Sequence, residues 1–457
     1  MNDNVKKICD ERTQNIKDVF DNKIPKRVPI SVSLPLTAVA DYGKVDRKAA
    51  YWDPSLLEPA AEELCERIPT DTCIYAGSVY APYSSQTLDA KNKLMSNTGI
   101  MQHPNTECMR PDEYPELIAD PYAFLIDKCV PRLYKNLNVE ESKGKVLFSL
   151  YEEMILEGDY YARTGSMVQR LNEKYGYPSD VGIQGFGRAP MDWIGDQLRS
   201  FSGICMDVRR HRKELAEALD AIYPMMYKMG KCTDSRQISR YNPTMYQLHM
   251  ATYIREKDFA EVWLPSWKRL VTDYASLGMR CGAFLEHDWT RLLDYLYELP
   301  TGMYFTFELT DPEEIKKKLG KKFVLGGGFP LNHLLTCTRQ EVVDKTKAWL
   351  DIMAPGGQYI FGFDKDPMTL ADIKLENLIA VCETVRDYGV YENAGTATGE
   401  VFKKEDYHHS EVPAFKSRYY QSWDDYVKYY PNTPDNARPL VMAAQDAVFE
   451  KFFYMSC

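Results

Sequence analysis

The sequence lacks long apolar runs and a secretory signal. No stretch approaches the roughly 18 apolar residues that a membrane-spanning helix needs. The N-terminal segment MNDNVKKICDERTQNIKD is polar throughout and has no apolar core of the secretory type. We therefore expect a cytoplasmic protein that does not bind or cross a membrane.

The sequence also lacks paired cysteines and an excess of positive charge. Eleven cysteines are spread from Cys9 to Cys457 without CxxC spacing, which predicts reduced thiols and argues against finger-type structural zinc. The formal net charge of -10 argues against nucleic acid or an anionic membrane as a partner, because both need basic surface.

What is present is a large apolar core and a repeat of strand, loop and helix. The chain has 457 residues, 44% of them hydrophobic, which suits one large barrel with additions or two to three domains. In the last third, strand, loop and helix alternate at roughly 30-residue spacing, which is typical of parallel strands with right-handed crossovers. The predicted strands lie at residues 28–32, 72–75, 145–149, 181–190, 246–250, 279–285, 303–309, 322–328 and 358–363.

These nine segments are close in number to the eight strands that close most simply into a (β/α)₈ TIM barrel, so the fold class is α/β. Residues 4–22 predict an N-terminal helical extension, and residues 152–175 predict a helix interrupted near Gly158 and Gly165. The barrel domain is expected over residues 1–392. Residues 393–457 form an aromatic-rich C-terminal extension that we expect to pack on the barrel.

One strand, MRCGAFLEHDW, ends in three ionisable residues, Glu286, His287 and Asp288. Two carboxylates and an imidazole at a partly buried strand end would shift each other's pKa values and attract cations. The alternative is that Asp288 caps a helix over residues 290–299. If the strand continues, the His287 side chain should point to the opposite face.

Further polar side chains end neighbouring strands. In a (β/α)₈ barrel, functional sites lie at the carboxyl ends of the strands. Glu308, Asp364 and the glycines at 326–328 would share that rim with Glu286. His249 ends another strand and is either a buried structural histidine or part of the site.

The chain resembles the uroporphyrinogen decarboxylase superfamily. The resemblance covers most of residues 15–392. It rests on the segments GMRCGAFLEHDWTRLLDYL, DPEEIKKKLGKKFVLGGGFPLNHLL and APGGQYIFGFDKDPMTLADIKLENLIAVCETVRDYG, with GRAPMDWIGDQLRSFSGICMDVRRHRKEL and DEYPELIADP before them. It implies a (β/α)₈ barrel. The arginine-rich motif with which the decarboxylase holds an acidic tetrapyrrole has no counterpart in PISVSLPLTAVADYG.

The segments look more like the corrinoid-dependent methyltransferase branch, which exchanges methyl groups with a corrinoid carried by a partner protein. The zinc-ligand positions of that branch fall on Glu286, Asp288 and Asp364. Three carboxylates suit a harder divalent ion than zinc, or no metal. The implied cofactors are the partner's corrinoid and, at those carboxylates, zinc or another divalent metal.

The expected activity is transfer of a methyl group from a methoxylated aromatic compound, an aryl methyl ether, to the Co(I) corrinoid. The leaving phenolic oxygen must be protonated or polarised, so Glu286, Asp288 and His287 are the predicted catalytic residues. The predicted contacts with the small aromatic substrate are His249, Tyr246, Trp289 and Phe329.

Three alternatives remain. The chain could be a tetrapyrrole decarboxylase, a methyltransferase with a methylamine or thioether donor, or a non-catalytic binding subunit. The sequence leaves the assembly open, and a homodimer is one option.

Overall fold

The computed structural model describes residues 2–75, 77, 81–140, 142–183, 185–232 and 238–456. Its centre is a six-stranded parallel sheet in which neighbouring strands follow one another along the chain. A separate antiparallel pair precedes it. The strands are β1 Leu94–Met95, β2 Met101–Gln102, β3 Gly185–Gly187, β4 Thr244–Leu248, β5 Cys281–Leu285, β6 Tyr304–Phe307, β7 Val324–Gly327 and β8 Tyr359–Ile360.

Helices connect the parallel strands, as the predicted repeat requires. The longer ones are Asp3–Phe20, Glu58–Arg67, Lys143–Tyr175, Phe201–Arg210, Arg212–Cys232, Leu264–Ser276, Arg339–Met353, Leu375–Tyr388 and Arg438–Met455. The shorter ones are Leu36–Tyr42, Arg47–Trp52, Tyr83–Thr87, Tyr114–Ala119, Pro121–Phe124, Val130–Leu133, Pro190–Asp192, Glu256–Asp258, Leu293–Leu296, Pro312–Leu319, His333–Thr336 and Trp423–Tyr429. Wider π-helical turns occupy Leu125–Cys129, Trp193–Arg199 and Phe259–Trp263.

The extended N-terminal segment joins the far edge of the sheet. Ile30 forms a parallel bridge with Phe361, just after β8, and Leu34 forms another with Tyr75. The amide of Ser31 donates to the carbonyl of Phe361 at 2.8 Å. The predicted strands at 28–32 and 72–75 are therefore single parallel bridges here and not extended ladders.

The predicted strand at 145–149 is wrong. These residues belong to the helix Lys143–Tyr175, whose N-cap is Ser142 and which ends at Gly176 with a φ of 71°. The helix also runs unbroken through Gly158 and Gly165. Five apolar residues cannot distinguish a strand from a helix segment, and interior glycines weaken a helix by only about 1 kcal/mol.

The predicted helix after the 279–285 strand is shorter than expected. A 3₁₀ turn covers Thr290–Leu292 and an α-helical turn covers Leu293–Leu296. By contrast, the Pro312–Leu319 helix has the predicted N-cap, since the Asp311 side chain accepts from the Glu314 amide at 3.0 Å.

The C-terminal extension contributes to the main core. Phe449, Phe453 and Met455 of its last helix are buried in the same cluster as the strands. The division at residue 392 stays a prediction. Nine cysteines are free thiols in the described structure, as expected. Among the described helices, none combines the length and apolarity needed to span a bilayer.

Candidate functional site

One face of the parallel sheet is covered near the amino ends of the strands and open near their carboxyl ends. Near the amino ends, a row in register consists of Met245, Gly282, Tyr304 and Val324. The N-terminal helix covers it with Ile16, Val19 and Phe20. This half of the face is therefore a sealed apolar core.

Two residues further along the strands, the same face is open. Gln247, Phe284, Thr306 and Gly326 form the next row in register. The first three are half-buried, although their backbones lie in central strands. Phe284 gives this row an exposed aromatic ring, while Gln247 and Thr306 offer neutral hydrogen-bonding groups.

The charged residues follow this row at the carboxyl ends of β4, β5 and β6. His249, Glu286 and Glu308 each lie one residue beyond the last strand residue. The imidazole Nε2 of His249 lies 2.9 Å from Oε2 of Glu286. The open face therefore leads from an aromatic and neutral row to an ionic one.

His249 is held from both sides. Its Nδ1 lies 3.1 Å from Oδ2 of Asp196, and its Nε2 contacts Glu286. Asp196 belongs to the π-helical turn Trp193–Arg199, which follows β3. A π-helical turn changes the direction of side chains relative to an α-helix and is frequent at functional sites.

The two carboxylates keep His249 protonated at neutral pH. Burial acts to lower the pKa of His249, but its hydrogen bonds to Asp196 and Glu286 and their negative charges outweigh burial and raise this pKa to about 10. For Glu286, burial acts to raise the pKa, and the hydrogen bond and charge of His249 bring the net shift downward. Glu286 is therefore the ionised partner of an imidazolium.

Asp192 supports this arrangement from below. It is 1% exposed, its Oδ2 accepts from the backbone amide of His249 at 2.9 Å, and its Oδ1 accepts from the Trp263 indole at 2.5 Å. Burial and the charge of Asp196 raise the pKa of Asp192 to about 7. Asp192 thereby fixes the position of the His249 backbone.

His287 lies beside Glu286, because the strand does not continue through it, which was the condition for the opposite orientation. The strand ends at Leu285, and His287 adopts a φ of +65°, which breaks the alternation of side chains. Its Nε2 lies 3.7 Å from Oε1 of Glu286 and 2.5 Å from the Tyr253 hydroxyl. The His287 amide donates to Glu308 at 2.9 Å. This leaves two imidazoles flanking one carboxylate.

The other two predicted metal ligands lie apart from this cluster. Asp288 is exposed and accepts from the amide and hydroxyl of Thr290 at 2.9 and 2.6 Å. The N-cap position of the following 3₁₀ turn is Trp289 and has no side-chain cap hydrogen bond, so Asp288 is not the helix cap that the alternative expected. Asp364 is buried and accepts from the Leu331 amide at 2.8 Å. Within the described ranges, no group of three or more His, Cys, Asp or Glu side chains could hold a metal ion. The residues Glu286, Asp288 and Asp364 do not fit a shared metal.

Three predicted substrate contacts are core residues. Tyr246, Trp289 and Phe329 are at most 1% exposed. Because side chains alternate along β4, Tyr246 points away from Gln247 and packs edge-on against Trp267. Trp289 packs against Phe259, and Phe329 packs against other rings. Of the four predicted contacts, only His249 lies at the open site.

Sequence reasoning missed three participants in the cluster, Asp192, Asp196 and Tyr253. A signal for the first two was present, because acids four residues apart directly after a strand lie on one side of a helix. Tyr253 carried no comparable signal. Its pKa is raised by burial and by the charges of Glu286 and Glu308, which keeps its hydroxyl protonated.

No protein-family model matches the chain, and no curated protein matches it.

Proposed function

We propose that the chain is the methyl-transferring component of a corrinoid-dependent O-demethylase and acts on an aryl methyl ether. The observation that carries the proposal is the imidazolium of His249, held between Asp196 and Glu286 at the end of an open sheet face. Such a group can supply a proton at neutral pH to an oxygen that leaves as an anion.

The pKa of His249 suits a phenolic leaving group. It is raised to about 10, and an ordinary phenol such as tyrosine has a pKa of about 10. Displacement of Glu286 from Nε2 by the substrate oxygen would remove one of the interactions that raise this pKa, so His249 would then give its proton to a phenolate more readily. A donor with a pKa this high also stays loaded with its proton at pH 7.

The residues below His249 suit a flat, weakly polar substrate. Phe284 and Thr306 form a half-exposed row, on which an aromatic ring could stack and form a hydrogen bond. The mouth carries Glu308 and Glu286, and Glu308 contacts Lys365 at 3.4 Å. Both carboxylates already have a cationic partner, His249 and Lys365, which leaves neither cation free to hold the carboxylates of a tetrapyrrole and favours the ether over the decarboxylase alternative.

The reaction balances without a metal ion on this chain. The methyl–oxygen bond breaks with its electron pair remaining on oxygen, and His249 Nε2 gives its proton to that oxygen, so a free phenol forms. When bound, the reduced corrinoid of the partner protein, a second substrate, supplies the electron pair for the new bond to carbon. Asp196 then holds the neutral imidazole in place until it is protonated again.

Glu286 would serve as the resting acceptor of the Nε2 proton. The substrate oxygen would have to replace Glu286 at Nε2, and His287 then offers the carboxylate an alternative neighbour at 3.7 Å. Asp192 acts through the His249 backbone and is a positioning residue. No role follows for Asp288, which contacts Thr290.

The experiment combines the purified protein, a reduced corrinoid protein from the same source and a guaiacol-like ether. We expect phenol release together with methylation of the corrinoid. Chromatography measures the phenol, and absorbance measures the methylated corrinoid. His249→Gln should lower the rate at least about 100-fold, whereas Asp288→Asn should keep it. An ether with a nitro-substituted ring needs less protonation, so the deficit of His249→Gln should shrink with it.

Four results would contradict the proposal. Absence of demethylation with any ether and the native corrinoid partner would reject the substrate class. Full activity of His249→Gln would reject the proton donor. Full activity of both Glu286→Ala and Asp288→Asn in an active assembly would favour a non-catalytic binding subunit, and turnover of a methylated amine or thioether in place of ethers would favour the other donors.

We also infer that the sheet closes into the eight-stranded barrel expected from the sequence. Support comes from the bridges of Ile30 with Phe361 and of Leu34 with Tyr75, which place two further strand positions beyond β8. The closing pairing would join the segment that ends at Tyr75 to β3. An experimental structure with main-chain hydrogen bonds between these segments tests the closure.

A further inference from the structure

The helix Lys143–Tyr175 has two apolar faces, of which only one is covered. The covered face carries Tyr160, Met167 and Leu171, all at most 1% exposed. The opposite face exposes large apolar side chains to solvent. These are Leu147 (71% exposed), Phe148 (69%), Tyr151 (70%), Met154 (43%) and Ile155 (54%). We call them the outer face of the helix.

This outer face supplies a large part of the apolar surface that a stable interface needs. Aromatic side chains bury 150–250 Å² each, so with the observed exposed fractions Phe148 and Tyr151 alone offer roughly 280 Å² of apolar surface, to which Leu147, Met154 and Ile155 add. A standard protein interface buries about 800 Å² on each partner. Single exposed apolar residues are ordinary, but a contiguous surface of this size on one helix marks an interaction site.

The outer face continues C-terminally as a series of small residues. Gly158, Ala162 and Gly165 are exposed at the heptad spacing that Phe148, Tyr151 and Ile155 begin. A Cβ atom added at Gly158 or Gly165 would meet no other atom within 4 Å. The N-terminal part of the outer face carries large side chains, and its C-terminal part carries small residues with open space beside them. The large side chains of one copy of the helix can therefore fill the open space on a second copy.

We propose that the outer face is the interface of a homodimer in which two copies of this helix pack antiparallel. A two-fold axis between Gly158 and Ile155 places a large residue of one copy opposite a small residue of the other in every layer. A two-fold interface needs this kind of self-complementarity, because the same surface serves both copies. The pairs are Phe148 with Gly165, Tyr151 with Ala162 and Ile155 with Gly158 of the second copy.

The contact would extend along half the helix. Phe148 and Gly165 are 17 positions apart, which corresponds to roughly 25 Å of helix at 1.5 Å per residue. Heptad spacing is the pattern with which helices interlock over such lengths. The proposal is independent of the methyl-transfer activity, since none of these residues belongs to the candidate site.

Sedimentation velocity of the full chain over a range of concentrations tests the proposal. The unmodified chain should form a dimer. Phe148→Glu should raise the dissociation constant at least about 100-fold, because it places one charge in the apolar contact at each end of the dimer interface. The matched control is Leu440→Glu, at a residue that is 75% exposed on another helix, and it should leave the dimer unchanged.

A pair of substitutions tests the register. Gly158→Leu has room in the single chain, so the helix should keep its thermal stability, but in the dimer the leucine would meet Ile155 of the second copy and weaken association. Ile155→Ala combined with Gly158→Leu restores one large and one small residue in the layer and should restore dimerisation. A monomeric unmodified chain would overturn the proposal, and so would a dimer that Phe148→Glu leaves intact.

Discussion

Replacing Glu286 with glutamine should reveal the ion pair with His249 as a pH-dependent loss of stability. The pKa of His249 rises from its ordinary 6.5 to about 10, a shift that would correspond to roughly 5 kcal/mol for a fully buried pair, at about 1.4 kcal/mol per pKa unit. The His249 side chain is 40% exposed and that of Glu286 is 30% exposed. Solvent screening therefore reduces the expected loss for Glu286→Gln to about 1–2 kcal/mol near pH 6.

The sign of the pH dependence follows from the direction of the shift. A histidine whose pKa is raised in the folded state binds its proton more tightly there than in the unfolded chain. The contribution of protonated His249 to the free energy of unfolding is complete below pH 6.5 and is lost as the pH rises to about 10. The difference in unfolding free energy between wild type and Glu286→Gln should therefore decline across this interval.

Urea denaturation followed by tryptophan fluorescence at several pH values between 6 and 10 measures this difference. Asp288→Asn is the matched control, because Asp288 is also a carboxylate at this strand end but hydrogen-bonds to Thr290 and, within the described residues, not to an imidazole. The small loss of unfolding free energy that we expect for Asp288→Asn should be the same at every pH between 6 and 10. A Glu286→Gln difference that is equally large at pH 6 and pH 10 would refute the ion pair.

Three further substitutions test the surroundings of the site. Asp192→Ala should cost about 2–4 kcal/mol in unfolding free energy, because the Trp263 indole and one backbone amide lose their buried acceptor; wild-type stability would contradict these contacts. Phe329→Ala should cost about 3–5 kcal/mol by leaving a cavity, and an effect confined to the substrate KM would instead favour a substrate contact. Lys451→Met should lower the unfolding free energy by about 3–5 kcal/mol, because Glu153 is fully buried and lies 2.7 Å from the Lys451 ammonium group. Adding Glu153→Gln removes the unpaired buried charge and should recover part of this loss, as measured by thermal denaturation.

The local pattern predicted most of the parallel strands. β5 and β6 lie where short apolar runs end in acids, and the Pro312–Leu319 helix has the N-cap expected from Asp311. These features depend on residues that are close to each other in the sequence, so the sequence pattern predicts them. The prediction of a strand at 145–149 was wrong because a short apolar run fits both a strand and the outer face of a long helix.

The sequence by itself determined that a carboxylate and an imidazole stand at strand ends, since Glu286 and His249 each follow an apolar run. Tertiary structure decided which of these side chains meet. Register between β4 and β5 brings His249 to Glu286, and the π-helical turn after β3 adds Asp196. The positive φ of His287 turns its side chain toward Glu286, while Tyr246, Trp289 and Phe329 point into the core. Side-chain direction depends on backbone dihedral angles and on which face is covered, and neither can be read from residue types alone.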